Sequence, residues 1–304
     1  MKRLLRKLRE LNTLVKNSRQ VLSMNKRNLH YIYPSNQRRD FPVADNKLQT
    51  KALLEPLGVP VPRTYAIFRY FYELDHLRET LAAHEQFVIK PAGGSGGGGI
   101  LVITARDGEN WRSISGKLYT LYDLRRHISD IIFGVYSFDF GDCAVIESMV
   151  IQHEEMNRLS PFGLADVRVI LYQDKPVMTM TRLPTRKSEG RANIHQGAVG
   201  AGIDLGSGTI THAVHDGSPA QHHPDTRLCL IGARIPFWDE VIAMSTKIAQ
   251  AVPLKYLGVD ISIARQGPML LEINVRPGLQ IQVANMQGLA ALLEQADRER
   301  AGRL

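Results

Sequence analysis

Leu4, Leu8, Leu11 and Val15 recur at helical spacing with Lys and Arg between them, which predicts an amphipathic basic helix at the start of the chain. HYIYPSNQRRDFPVADN, rich in Pro, Asn and aromatics, reads as a connector. A helix should begin near Asp45 and run through LQTKALLEPLG, after which Pro60 and Pro62 force an extended exit. FVIKP and ILVI are short strand-like runs flanking a glycine loop at 93–99. A helical stretch at 115–131 and a strand, CAVIE, come next. VRVILY and PVMTMT then pair as a hairpin turning at Gln173, Asp174 and Lys175. A polar loop covers 183–196, a helix 238–251, the hairpin VDISIARQGPMLLEIN follows, and a last helix lies near 286–300. Hairpin strands mixed with separate helices predict an α+β fold, not a parallel sheet wound through βαβ units.

With 304 residues, 44% apolar and 22% charged, the chain can bury one large core or two lobes. No apolar run approaches the ~20 residues needed to cross a bilayer, and charges interrupt any signal-peptide core, so a cytoplasmic protein is expected. The net charge of +8 is lopsided: residues 1–39 hold 11 Lys/Arg against the single acid Glu10. The rest is nearly neutral and has no RNA-binding aromatic motif, so nucleic acid is not expected as a partner and the arm has an accessory role. Docking of the arm on the body is the expected use of its leucine stripe. Cys143 and Cys229 have no metal-ligand spacing and are expected as buried, reduced thiols. A homo-oligomer is compatible with this composition.

The sharpest chemistry lies in GVDISIARQGPMLLEINVRPG. A three-residue loop at Arg265, Gln266 and Gly267 sets Asp260 directly opposite Glu272, with Asn274 two residues further on the same face. Opposed acids repel one another unless a cation lies between them, and two carboxylates with an amide oxygen suit a hard divalent ion shared with phosphates. Ile261, Ile263, Leu271 and Ile273 would take the other face.

FVIKPAGGSGGGGILVI places Lys90 at the end of a strand, before bare backbone N–H groups that can form an anion nest. It has neither the Walker spacing nor a Rossmann context, because a strand follows it. RKSEGRANIHQG offers Arg186, Lys187 and Arg191 to phosphate or carboxylate, with Asn193 adding an amide. His212, His215, His222 and His223 lack zinc spacing and read as a polar hairpin. Trp111 and Trp238 read as core or rim residues.

The ordered set DNKLQTK, VIKPAGGSGGGG, VIESMV, DVRVIL, GRANIHQG, VDISI and LEINVRPG resembles ATP-grasp enzymes, most nearly the ribosomal-protein glutamate ligases and alpha-L-glutamate ligase-like proteins, over residues 45–288. The resemblance implies two α+β lobes with antiparallel sheets clasping ATP. It implies a basic helical arm and connector at 1–44, an N-terminal lobe at 45–147 and a C-terminal lobe at 148–304. Lys47, Lys90 and the loop including Gly96, Gly97 and Gly98 would hold phosphates. Glu147 to Val150 would lie under adenine, with Ser148 and Val150 offering backbone groups. Asp166 matches a ribose contact, although the 18 residues between Glu147 and Asp166 leave Glu154 or Glu155 as alternatives. Asn193 would lie near the phosphates, Arg168, Arg191 and Arg276 would be catalytic, and Asp260, Glu272 and Asn274 would bind Mg2+ or Mn2+.

The activity implied is ATP-dependent joining of a carboxylate to an amine through an acyl phosphate, adding glutamate or another amino acid to a peptide or protein. The alternative is a non-catalytic ATP-binding regulatory module whose basic arm binds an anionic partner. Relatives carry a separate domain before the first ATP-binding lysine, where this chain has only 46 residues. Acceptor identity therefore does not transfer with the resemblance.

Overall fold

A computed structural model describes residues 20–94, 96–137 and 141–302. The first sheet contains β1 (Thr64–Phe68), β2 (Phe87–Pro91), β3 (Leu101–Asp107), β4 (Asn110–Ser113), β5 (Leu118–Tyr119) and β6 (Ala144–Glu147), in the order β1-β6-β2-β3-β4-β5. The second contains β7 (Asp166–Tyr172), β8 (Lys175–Leu183), β9 (Val199–Ile203), β10 (Ile210–His215), β11 (Ser218–Pro219), β12 (Tyr256–Ala264) and β13 (Gly267–Asn274). Its order is β11-β10-β9-β8-β7-β12-β13. Pairing in both sheets is antiparallel, as the α+β reading requires.

Each sheet has its own core. Phe87, Ile89, Ile103 and Trp111 of the first bury against Leu124 and Ile128 of the helix Leu121–Ile132. Val167, Val169, Val259, Ile261 and Ile263 of the second share a core with Val241 and Ile248 of the helix Trp238–Ala251. Both tryptophans are buried. Cys143 is half-buried and Cys229 exposed, so the expectation of two buried thiols fails for Cys229, which lies in an irregular surface segment.

Asn46 starts the helix Lys47–Leu54, its Oδ1 accepting from the N–H groups of Leu48 (2.9 Å) and Gln49 (3.2 Å). A short separate turn, Pro42–Asp45, precedes it. Leu22, Tyr31, Ile32, Phe41, Ala44, Leu54 and Val59 all lie in the second sheet's core. Residues 45–59 thus pack with the second lobe, and the first sheet begins only at Thr64. The stripe Leu4, Leu8, Leu11 and Val15 lies outside the described residues, but the segment after it does dock. Gln282 clasps Leu22, accepting from its N–H (2.8 Å) and donating to its carbonyl (3.0 Å). Asn36 accepts from the N–H groups of Lys255 (2.7 Å) and Tyr256 (3.0 Å) and donates to the Tyr256 carbonyl (2.6 Å).

Both hairpins turn more tightly than expected. Tyr172 pairs with Lys175, so the turn is Gln173-Asp174 alone, with positive φ of 49° and 65° at its two residues. Ala264 pairs with Gly267, which makes Gly267 the first residue of β13 and leaves Arg265-Gln266 as the loop. A register shift between Asp260 and Ile261 adds one residue on β13 and restores the expected pairing of Asp260 with Glu272. Leu271 is the added residue; it is only half-buried, and Leu270 takes the core position.

Candidate active site

A row of partners crosses the second sheet from β8 to β13: Met180, Arg168, Asp260 and Glu272. Residues directly opposed on adjacent strands project from one face, so the pleat delivers Arg168 and Glu272 to either side of Asp260. In the neighbouring row, Ile170 and Gly258 lead to Asn274. A side chain at Gly258 would meet Pro277 at 2.7 Å, so glycine lets the chain after Asn274 fold back across the strand. Asp166 pairs with Arg182 one step along in the opposite direction.

Asp260 is 0% exposed and its charge is matched by donors. Arg168 forks onto it through Nε (2.7 Å) and Nη2 (2.6 Å), and Arg182 Nη2 adds a third contact at 2.8 Å. Arg182 also forks onto Asp166, through Nε at 2.7 Å and Nη2 at 2.5 Å. Burial opposes the charge on Asp260, but Arg168 and Arg182 outweigh it and hold the carboxyl well below its ordinary value. Burial pushes the Asp166 carboxyl up, against the pull of Arg182.

Glu272, with 31% of its side chain exposed, is the open member of the set. Asn274 Nδ2 lies 3.2 Å from Asp260 Oδ2 and 3.4 Å from Glu272 Oε1. A half-turn of that amide would present its oxygen beside both carboxylates. Asp260 Oδ1 accepts from Arg168 Nε, and a carboxylate oxygen carries a second lone pair. The donor set therefore fits a hard divalent cation, with Glu272 as its partly exposed member.

Lys47, at the N-terminal end of its helix, joins the two lobes. Its Nζ donates to the Gly94 carbonyl (2.7 Å) and lies 3.8 Å from Glu272 Oε2. Burial lowers its pKa, with Glu272 acting in the opposite direction and Lys90 reinforcing the fall. The glycine loop is tied at its base, where the Gly93 N–H donates to Asp142 at 3.0 Å, and at its end, where the Gly99 carbonyl lies 2.9 Å from His127 Nε2. Gly96 and Gly97 have positive φ, and a Cβ at either would meet no atom within 4 Å, so the space around them is open. Gly98 is exposed beside them.

Lys90 is buried against Glu147 Oε1, and Lys51 holds Oε2 of the same carboxylate at 2.5 Å. The Ser148 N–H donates to the Arg63 carbonyl (2.8 Å), so of its backbone polar groups the carbonyl is left to offer a ligand. Val150 follows in the irregular link to the second lobe. Glu154 is exposed, whereas Glu155 pairs with Arg158 at 2.7 Å. Asn193 caps the turn Ile194–Gln196, and Arg191 reaches Gln196 at 3.5 Å. Arg276 stacks over Phe41, 5.2 Å from the ring centre. Among the described residues, Arg191, Asn193, Arg276 and Glu154 make no hydrogen bond or ion pair with the Asp260 cluster.

Sequence reasoning missed Arg182 and Lys51. The expected three-residue turn at Gln173, Asp174 and Lys175 already sets Arg182 opposite Asp166, and the chain reaches the same pairing with a two-residue turn and an irregularity beside Pro176; that register was the available signal for Arg182. Lys51 lies one helical turn after Lys47, and that spacing was the available signal. His223 is fully buried with Nε2 3.0 Å from the Pro184 carbonyl, while His212 is exposed. Among the described residues, no group of three or more His, Cys, Asp or Glu is arranged to hold a metal, and no helix is long and apolar enough to cross a membrane.

Comparison with known proteins agrees with this architecture. A probable alpha-L-glutamate ligase from Halorhodospira halophila is 25% identical over 262 residues, covering 86% of this chain and 65% of that protein. A cyanophycin synthetase from Crocosphaera subtropica is 23% identical over 269 residues, covering 82% of this chain and 29% of the other. The chain thus spans less than two thirds of the length of either relative. A pyruvate carboxylase from Rhizobium etli superposes with a TM-score of 0.52 at 16% identity, covering 86% of this chain and 19% of that one, a likeness of fold. Residues 26–298 match the family described as sugar-transfer associated ATP-grasp, and the chain belongs to that family.

Proposed function

We propose that this protein is an ATP-dependent carboxylate–amine ligase that forms an amide through an acyl phosphate and releases ADP and phosphate. One observation carries the reading: Asp260, Glu272 and Asn274 converge on one patch of the second sheet, with Lys47 reaching across to the glycine loop. Asp260, Glu272 and Asn274 would hold Mg2+, which supplies charge neutralisation to the transferring phosphoryl group. Lys47, Lys90 and the loop at Gly96 to Gly98 would grip the phosphates, and Arg191 and Asn193 would approach them from the second lobe. Arg168 keeps Asp260 ionised and oriented. Ser148 and Val150 would border adenine. Glu154 becomes the better ribose contact, because both Asp166 oxygens are committed to Arg182.

A substrate carboxylate oxygen attacks the γ-phosphorus as the bond to the β-phosphate oxygen breaks. An amine then attacks the acyl carbon and expels phosphate, and the new amide loses a proton. Positioning and charge neutralisation carry both steps. Arg276 would face the acyl group. The activated carboxylate is the C-terminus of a peptide or protein, and glutamate or another amino acid supplies the amine, with an amino sugar as a second amine given the family's association with sugar transfer. ATP supply puts the reaction in the cytoplasm.

The test is ADP release with pooled carboxylates and amines, with and without Mg2+. ADP formation should need both substrates and the ion, and Glu272→Ala should abolish it while the fold persists. Near-normal turnover in that variant would remove the assignment. ATP binding with no turnover on any pool would favour the regulatory module.

A further inference from the structure

The Glu147 carboxylate is buried between two lysines. Lys90 takes Oε1, and Lys51 takes Oε2 at 2.5 Å. Lys51 Nζ also donates to the Pro62 carbonyl (2.7 Å) and to Thr64 Oγ1 (3.1 Å). The three N–H groups of an ammonium match the Pro62 carbonyl, the Thr64 hydroxyl and the Glu147 carboxylate around Lys51 Nζ, and the carboxylate favours that charged form. Burial lowers its pKa, and Glu147 opposes the fall.

The three side chains come from different parts of the fold. Lys90 is the last but one residue of β2, before the glycine loop, and Glu147 ends β6. Lys51 comes from the helix Lys47–Leu54, whose Leu54 lies in the second lobe's core. Were Lys51 absent, Glu147 and Lys90 would form a neutral buried pair. With Lys51 present, the group carries one net positive charge at the mouth of the glycine loop.

We infer that Lys51 is a positioning residue that neutralises Glu147 and so leaves the charge of Lys90 available to the nucleotide phosphates. The inference rests on the ATP reading above. It differs from a purely structural role, because it ties phosphate affinity to the net charge of the group and not to the presence of Lys51 itself.

The experiment measures binding of ATP and of adenosine, each with Mg2+, by calorimetry on the full chain. The readout is the ratio of the two affinities, which cancels contacts to base and sugar. Lys51→Met takes the group from one positive charge to zero, and the ratio should fall on the order of tenfold. Lys51→Met combined with Glu147→Gln restores one positive charge and should return the ratio to within about threefold of the parent. If Lys51→Met does not fold, Glu147→Gln against the double variant reads the same one-charge step and should show the same drop. An unchanged ratio in Lys51→Met, or a double variant no better than the single one, would overturn the inference while leaving the ligase reading intact. A parent protein that binds ATP no more tightly than adenosine would remove both.

Discussion

Asp260 shows how a buried acid is kept charged. Two guanidinium groups face it, one of which also serves Asp166, so two acids and two bases form a closed set inside the second sheet. Removing one member leaves an uncompensated buried charge. Arg182→Met should therefore cost on the order of 3–5 kcal/mol in urea denaturation, and adding Asp166→Asn should recover part of that loss. A cost under about 1 kcal/mol would mean the network is solvated. Lys47 gives a pH prediction. Burial puts its pKa below the ordinary lysine value, so its positive charge is lost at a lower pH than in an exposed lysine. ATP affinity should fall on the alkaline side as Lys47 deprotonates. Lys47→Arg, which stays charged, should flatten that limb in a binding titration even if its affinity at neutral pH is lower. An identical alkaline limb in both proteins would assign the titration elsewhere.

At the level of elements, alternation and turn chemistry make the hairpins legible, and with them the pairing of Asp260 with Glu272. Sequence pattern reaches that pairing through a three-residue loop, whereas the chain uses a two-residue loop and a bulge at Leu271. Bulges leave no period-two signature, which is why Leu271 reads as core. The helix Trp238–Ala251 matches its expected bounds because its apolar spacing is regular. The helix carrying Lys47 is expected at Asp45 but waits for the Asn46 cap. Asn46→Ala should cost about 1 kcal/mol of stability. It should also weaken ATP binding beyond that cost, since Lys47 is the first residue of the helix. Unchanged affinity with lowered stability would show that Lys47 is placed by Gly94 and Glu272 alone.

Across the whole molecule, the segment that precedes the first sheet acts as a strap on the second lobe. Leu22, Tyr31, Ile32 and Phe41 are buried there, and Asn36 answers three backbone groups at the start of β12. Such contacts are apolar burial and hydrogen bonds, so salt should matter little. Asn36→Ala would leave the buried N–H and carbonyl of Tyr256 and the part-buried N–H of Lys255 without their partner and should cost on the order of 3 kcal/mol, equally at low and high ionic strength. A cost that vanishes in high salt would point to an electrostatic strap.

The most direct measurement of the central claim follows an oxygen atom. The protein is incubated with Mg2+, ATP, pooled peptides and amino acids all labelled with 18O in their carboxyl groups, and amines including amino sugars. Phosphate and products are then weighed by mass spectrometry. An acyl phosphate requires one labelled oxygen to leave with inorganic phosphate while ADP forms and an amide product appears. Amide formation with unlabelled phosphate, or with AMP in place of ADP, would contradict the account.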